Sequence, residues 1–245
     1  MKRTKIILEI VILAIFLNCS TVYAENINEK VVYLTFDDGP SANNTEEIIK
    51  ILDDNNVRAT FFVIGENAKL NPKVMNKLKN SNMAIYPHCN NHRYTELYSS
   101  EENYFNDLES CNNIIKDIIG KTNSKLFVRL PGGSDNLVCN QDTLQTIKVG
   151  LKRNNYYYVD WNVDSGDANA IQVSTDALLN NIDKYSGTYK VEVVLMHDLD
   201  CKKSTIDALE RVINEYKSMG YTFKTFDDIS RDEIDYLQKI KVINR

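Results

Sequence analysis

Short apolar runs alternate with amphipathic stretches along the chain from Val31 onward. Seven runs have the length and the Val, Ile, Tyr and Phe content of strands: Val31 to Phe36, Val57 to Ile64, Met83 to Tyr86, Lys125 to Leu130, Tyr156 to Trp161, Val191 to Met196 and Tyr221 to Phe226. Little polarity interrupts them, as expected of strands covered on both faces. Between them the apolar period lengthens to that of helices: Thr45 to Asp53, Pro72 to Lys79, Glu101 to Ile119, Asp142 to Arg153, Thr175 to Lys184 and Thr205 to Met219. Pro72 falls in a first turn, and Gly120 and Gly220 follow two helices where a left-handed cap is wanted. Strand and helix in strict alternation predict parallel strands joined by right-handed crossovers. The fold class is therefore α/β, as an open sheet or an irregular barrel. The charged tail, residues 231–245, predicts a short outer helix or frayed chain.

With 245 residues, 43% of them hydrophobic and 26% charged, the chain suits one globular domain with a sizeable core, assigned here to residues 25–230. Residues 1–24 read as a signal peptide: Lys2, Arg3 and Lys5 precede an apolar run from Ile6 to Leu17, and Val22-Tyr23-Ala24 supplies the cleavage site. That run is shorter than the roughly 20 residues that span a bilayer, so a secreted or envelope-associated enzyme is expected in preference to a retained anchor. Removing this segment, with Glu9 as its one acid, takes the formal charge from −5 to −7. An acidic domain of this kind argues against nucleic acid as a partner. Four cysteines remain, Cys89, Cys111, Cys139 and Cys201, which allow three pairings or none.

In parallel α/β folds the C-terminal ends of the strands face one rim, and sites are built there from loops of different strands. The first strand ends in Asp37-Asp38-Gly39-Pro40, the third runs into His88-Cys89-Asn90-Asn91-His92, and the fourth ends in Arg129-Leu130-Pro131-Gly132-Gly133-Ser134. Asp160-Trp161 and then Asp164 and Asp167 follow the fifth, and His197-Asp198 ends the sixth. All 3 histidines of the chain thus fall on one predicted rim. Taken singly, Asp-Asp-Gly-Pro is a turn, and two histidines four apart share a helical face. Their common placement is what suggests chemistry, since structural residues would scatter over both rims. Two imidazoles and a carboxylate leave a coordination position open for water, as a catalytic zinc site requires. Successive side chains at a strand end point different ways, so one aspartate of the pair can bind metal while the other stays free as a base. The third histidine is available to protonate a leaving group, and Arg129 to orient the free carboxylate.

These five ordered motifs, between about Val31 and Ile229, resemble the polysaccharide deacetylases of carbohydrate esterase family four. The resemblance implies a distorted (β/α)7 barrel in which Asp37 is the general base and Asp38, His88 and His92 hold one divalent metal. Zinc is the first expectation, with cobalt and manganese as alternatives. It further implies that Arg129 tethers the base, that Pro131 and the backbone N–H of Gly132 lie on the oxyanion side, that Trp161 walls the sugar groove, and that His197 is the general acid. An aspartate orients that histidine in the family. Asp160, Asp164 and Asp167 are all candidates, and alignment points to Asp167. The chain departs from the family with Tyr86-Pro87 before the first histidine, Cys89 after it, and Gly132 where many members carry an aromatic. The implied reaction is metal-dependent hydrolysis of the acetamide of amino sugars, on N-acetylglucosamine or N-acetylmuramic acid of peptidoglycan, by a monomer. Gly132 and Gly133 would leave the groove wide enough for a branched glycan. The alternatives are chitooligosaccharide, acetylxylan, or a non-catalytic carbohydrate-binding relative. Two histidines and a carboxylate also suit a non-haem iron oxygenase, but those triads usually sit on all-β jelly rolls.

Overall fold

The computed structural model describes residues 27–120 and 125–245, so the expected signal peptide lies outside the described residues. Among the described residues eight strands form, all paired in parallel: β1 (Lys30–Asp37), β2 (Thr60–Ile64), β3 (Ala84–Cys89), β4 (Leu126–Val128), β5 (Tyr156–Tyr158), β6 (Val163–Asp164), β7 (Val191–His197) and β8 (Tyr221–Phe223). The helices are α1 (Asn44–Asp54), α2 (Gly65–Leu70), α3 (Pro72–Asn80), α4 (Tyr94–Leu97), α5 (Glu101–Ile119), α6 (Gln141–Arg153), α7 (Thr175–Tyr185), α8 (Lys203–Ser218) and α9 (Arg231–Lys239). The short helices α2 and α4 and the two-residue β6 break the strict alternation expected, because each occupies a stretch too short to establish a period.

The larger sheet runs β3-β2-β1-β7-β6, with β8 beside the first residues of β1, and β4 and β5 form a second sheet. This is the distorted barrel of parallel strands that the motifs imply, interrupted between β3 and β4 and between β5 and β6. Pro87 contributes to the first of these breaks. Its carbonyl accepts a 3.4 Å bond from the Arg129 N–H, so the missing proline N–H falls on the same edge, where a ladder to β4 needs donors. A cavity of about 670 Å³ lies beside this seam and is lined by Phe105, Leu108, Phe127 and Tyr156.

Side-chain alternation along β1 divides the core in two. Val32, Leu34 and Phe36 pack outward against α1 and α8, whereas Val31 and Tyr33 point into the barrel with Phe62, Phe127 and Phe226. The inward row continues as Thr35 and Asp37, so the interior turns polar towards the C-terminal rim. The β1–β7 register pairs Asp37 with His197 there. The tail is ordered: Ser230 caps α9 in a reciprocal box with Glu233, and Ile243 then bridges Val159 in the antiparallel sense. All four cysteines of the described residues are free thiols.

Candidate active site

Arg129 is fully buried inside the barrel, and every contact it makes fixes its direction. Nη1 reaches Asp37 Oδ1 at 2.9 Å and Thr35 Oγ1 at 2.6 Å, while Nε and Nη2 donate to the carbonyls of Val159 and Asp160. The guanidinium lies 4.4 Å from the centre of the Phe62 ring. A buried charge needs such pairing. The result holds one oxygen of Asp37 and leaves Oδ2 at the cleft.

After Asp37 the chain turns sharply, with Asp38 in the left-handed region at φ 76°. Gly39 makes the turn possible, since a Cβ there would lie 2.0–2.4 Å from the carboxyl atoms of buried Asp198. Asp198 accepts from Thr45 Oγ1 at 2.7 Å, and burial first, then the nearby Asp38, pushes its pKa up to about 7.

Asp38 Oδ1 stands 3.4 Å from His88 Nε2 and 3.6 Å from His92 Nε2. His88 lies on β3 and His92 in the loop after it, so the pair does not share a helical face. A carbonyl can only accept, so the 2.7 Å contact of His88 Nδ1 with Arg129 O places the proton on Nδ1 and leaves Nε2 a bare lone pair. Burial lowers the His88 pKa, although Asp37 and Asp38 oppose it. Asp38 Oδ1 is itself buried with no hydrogen-bond partner among the described residues. A carboxylate oxygen facing an imidazole lone pair is costly unless a cation lies between them. Ligands about 2.1 Å from one cation at tetrahedral angles stand about 3.4 Å apart. The three residues therefore fit a divalent metal.

His197 completes the rim. Its Nδ1 meets Asp167 Oδ1 at 2.7 Å, and its backbone N–H donates to Asp167 Oδ2. Burial works to lower the His197 pKa, but the hydrogen bond and charge of Asp167, with Asp37 and Asp38, outweigh it and raise the value to about 9. The other two aspartates are engaged elsewhere. Asp160 accepts from the Ser134 N–H and hydroxyl, and Asp164 from the Gly166 N–H.

Asp37, Asp38, His88, His92, Trp161 and His197 line one cleft of about 390 Å³, together with Gly132 and Gly133. Pro131 does not line it: it is buried, and its carbonyl accepts from Tyr98 Oη at 2.8 Å. Both glycines adopt positive φ, 78° and 84°, so the turn itself requires them. They do not widen the groove as expected, because Asn136 and Tyr94 beside Gly132, and Trp161 beside Gly133, border the space their side chains would take.

The family model described as polysaccharide deacetylase matches residues 24–151. The chain belongs to the polysaccharide deacetylase family. It is 30% identical over 211 residues to a putative polysaccharide deacetylase, YheN, of Bacillus subtilis, covering 83% of this chain and 70% of the relative. A peptidoglycan-N-acetylglucosamine deacetylase of Bacillus cereus is 29% identical over 220 residues, covering 84% and 73%. Among solved structures, the catalytic domain of a peptidoglycan N-acetylglucosamine deacetylase from Eubacterium rectale superposes with a TM-score of 0.73 at 34% identity, covering 83% of this chain and 90% of that one. A Streptococcus mutans CE4 esterase gives 0.72 at 30%, covering 81% and 86%.

Beyond the motif residues, this deacetylase fold recruits side chains that no spacing in the sequence marks. Asp107 on α5 accepts the N–H groups of Asn90 and Asn91 at 2.6 and 3.2 Å and so anchors the loop between the two histidines. Thr205 donates to Asp167 Oδ2, and the ammonium of Lys202 bonds the carbonyls of Asp167 and Ala170. Each lies far in sequence from the residue it holds.

Proposed function

We propose that this chain is a divalent-cation-dependent hydrolase that removes N-acetyl groups from amino sugars of peptidoglycan, with zinc as the metal and export as its route to the wall. The observation that carries the reading is the convergence of Asp38, His88 and His92 on one point, with the buried Asp38 Oδ1 unpartnered, between the Asp37–Arg129 and His197–Asp167 pairs.

A cation bound there supplies Lewis acidity, which polarises the acetamide carbonyl and makes water a better nucleophile at neutral pH. Asp37 Oδ2 takes the proton of the attacking water, while Arg129 keeps Oδ1 fixed. As the carbonyl carbon becomes tetrahedral, charge grows on its oxygen. The Gly132 N–H, which has no acceptor among the described residues, is available to that oxygen, so its bond strengthens in the transition state. His197 carries a proton at neutral pH and faces the cleft through Nε2, because Nδ1 is held by Asp167. It donates that proton to the departing amine, giving acetate and a free amino sugar.

Peptidoglycan is favoured because relatives at 29% identity in sequence and 34% in structure are named for it. The test is to incubate the zinc-loaded protein with purified peptidoglycan, chitooligosaccharide and acetylxylan, then measure acetate and the mass of the sugars. Loss of one acetyl mass from glucosamine or muramic acid residues is expected. Acetate released faster from xylan than from both other substrates would refute the choice of substrate, and none from any would refute the reaction.

A further inference from the structure

The position where many family members carry an aromatic side chain is Gly132, and the space beside it is not empty. A Cβ built on Gly132 would stand 3.4 Å from the hydroxyl of Tyr94 and 3.6 Å from a carbon of its ring. Tyr94 comes from another part of the chain, at the start of α4 and two residues after His92. Its ring meets that of His92 edge-on at 4.9 Å and stacks on Tyr98 at 6.0 Å. Tyr98 is tied in turn to the carbonyl of Pro131. Held between the His92 loop and the Gly132 turn, the Tyr94 ring lines the cleft, and its hydroxyl has no hydrogen-bond partner among the described residues.

We propose that Tyr94 is a further catalytic residue, its phenol O–H donating a hydrogen bond to the acyl oxygen alongside the Gly132 N–H. This rests on the acetamide being hydrolysed at Asp38, His88 and His92. An acyl oxygen shared between that site and the Gly132 N–H lies beside Tyr94, since its ring meets His92 edge-on and its hydroxyl stands 3.4 Å from where a Cβ on Gly132 would be. A phenol keeps its proton at neutral pH and can donate. It keeps its proton throughout, and stabilises charge only as it develops.

The experiment compares the wild type with Tyr94→Phe, both as the full zinc-loaded chain, on N-acetylchitooligosaccharide. Loss of one oxyanion donor typically lowers kcat by about 10²–10³-fold, and with two other stabilising groups left in place a fall of about tenfold or more is expected. KM should stay within about twofold, metal content and the unfolding midpoint should not change, and acetohydroxamate, whose oxygen stands in for the acyl oxygen, should bind about tenfold more weakly by calorimetry. Unchanged kcat and acetohydroxamate affinity would overturn the proposal. So would a loss confined to KM, which makes Tyr94 a wall for the sugar, or a loss of metal, which makes it a prop for His92. A wild type that releases no acetate from any sugar would instead sink the proposed reaction, and the acetohydroxamate measurement would still read the hydroxyl.

Discussion

Replacing Asp167 by Asn tests the acid side of the site with little change in shape. In the wild type His197 is raised from an ordinary 6.5 to about 9, against the effect of its burial, and Asp167 supplies the largest favourable contribution. A shift of that size corresponds to about 3 kcal/mol between the charged and neutral imidazole. The amide of Asn keeps one acceptor but has no charge, so burial is opposed chiefly by Asp37 and Asp38 and the His197 pKa falls from about 9 towards its ordinary value. A return to 6.5 takes the protonated fraction at pH 7.5 from about 97% to about 10%. A general acid must carry its proton, so the rate falls as pH rises through this pKa. The assay is kcat/KM for acetate release between pH 5 and 10, which reports the free enzyme. A cation at Asp38 offsets part of that residue's influence on both proteins, so the displacement between the two alkaline limbs is the quantity to read. It should exceed one pH unit. An Asn variant whose alkaline limb stays within half a unit of the wild type would refute the assignment of His197 and Asp167.

Three further outcomes follow from the geometry. Asp38→Ala, His88→Ala and His92→Ala should each abolish bound zinc, whereas Asp37→Asn should retain it and lose activity; equal metal loss in Asp37→Asn would reverse the roles of base and ligand. Arg129→Met leaves Asp37 as a buried, unpaired carboxylate and should cost about 3–5 kcal/mol in urea unfolding at neutral pH, and a cost under about 1 kcal/mol would mean that the pair contributes little. Gly39→Ala drives a methyl into the Asp198 carboxyl and should destabilise by about 1–3 kcal/mol. Removing that carboxyl with Asp198→Ala in the same chain should relieve most of the clash, read as a coupling energy in a double-mutant cycle.

Much of the architecture was legible in the chain because it rests on local rules. Strands covered on both faces read as unbroken apolar runs, and helices show their period and caps. Hence seven strand runs and six helices fell within a few residues of their places, and Glu101–Ile119 fell on its bounds. The motif residues were legible for a related reason: each stands at the C-terminal end of a strand or in the loop after it, so strand order alone brought them to one rim. What escaped were contacts between distant segments. Asp107 under the histidine loop, Asp198 behind Gly39, and Lys202 and Thr205 around Asp167 are ordinary polar residues until the fold closes. Three aspartates stood within eight residues of one another; the family resemblance favoured Asp167, and the fold supplies the reason, since its carboxylate holds both the ring and the backbone N–H of His197 while Asp160 and Asp164 are engaged elsewhere. The glycine pair reads in sequence as open groove. Tertiary packing decided otherwise, because the space above a residue without a side chain belongs to whatever neighbour the rest of the chain delivers, here Asn136, Tyr94 and Trp161.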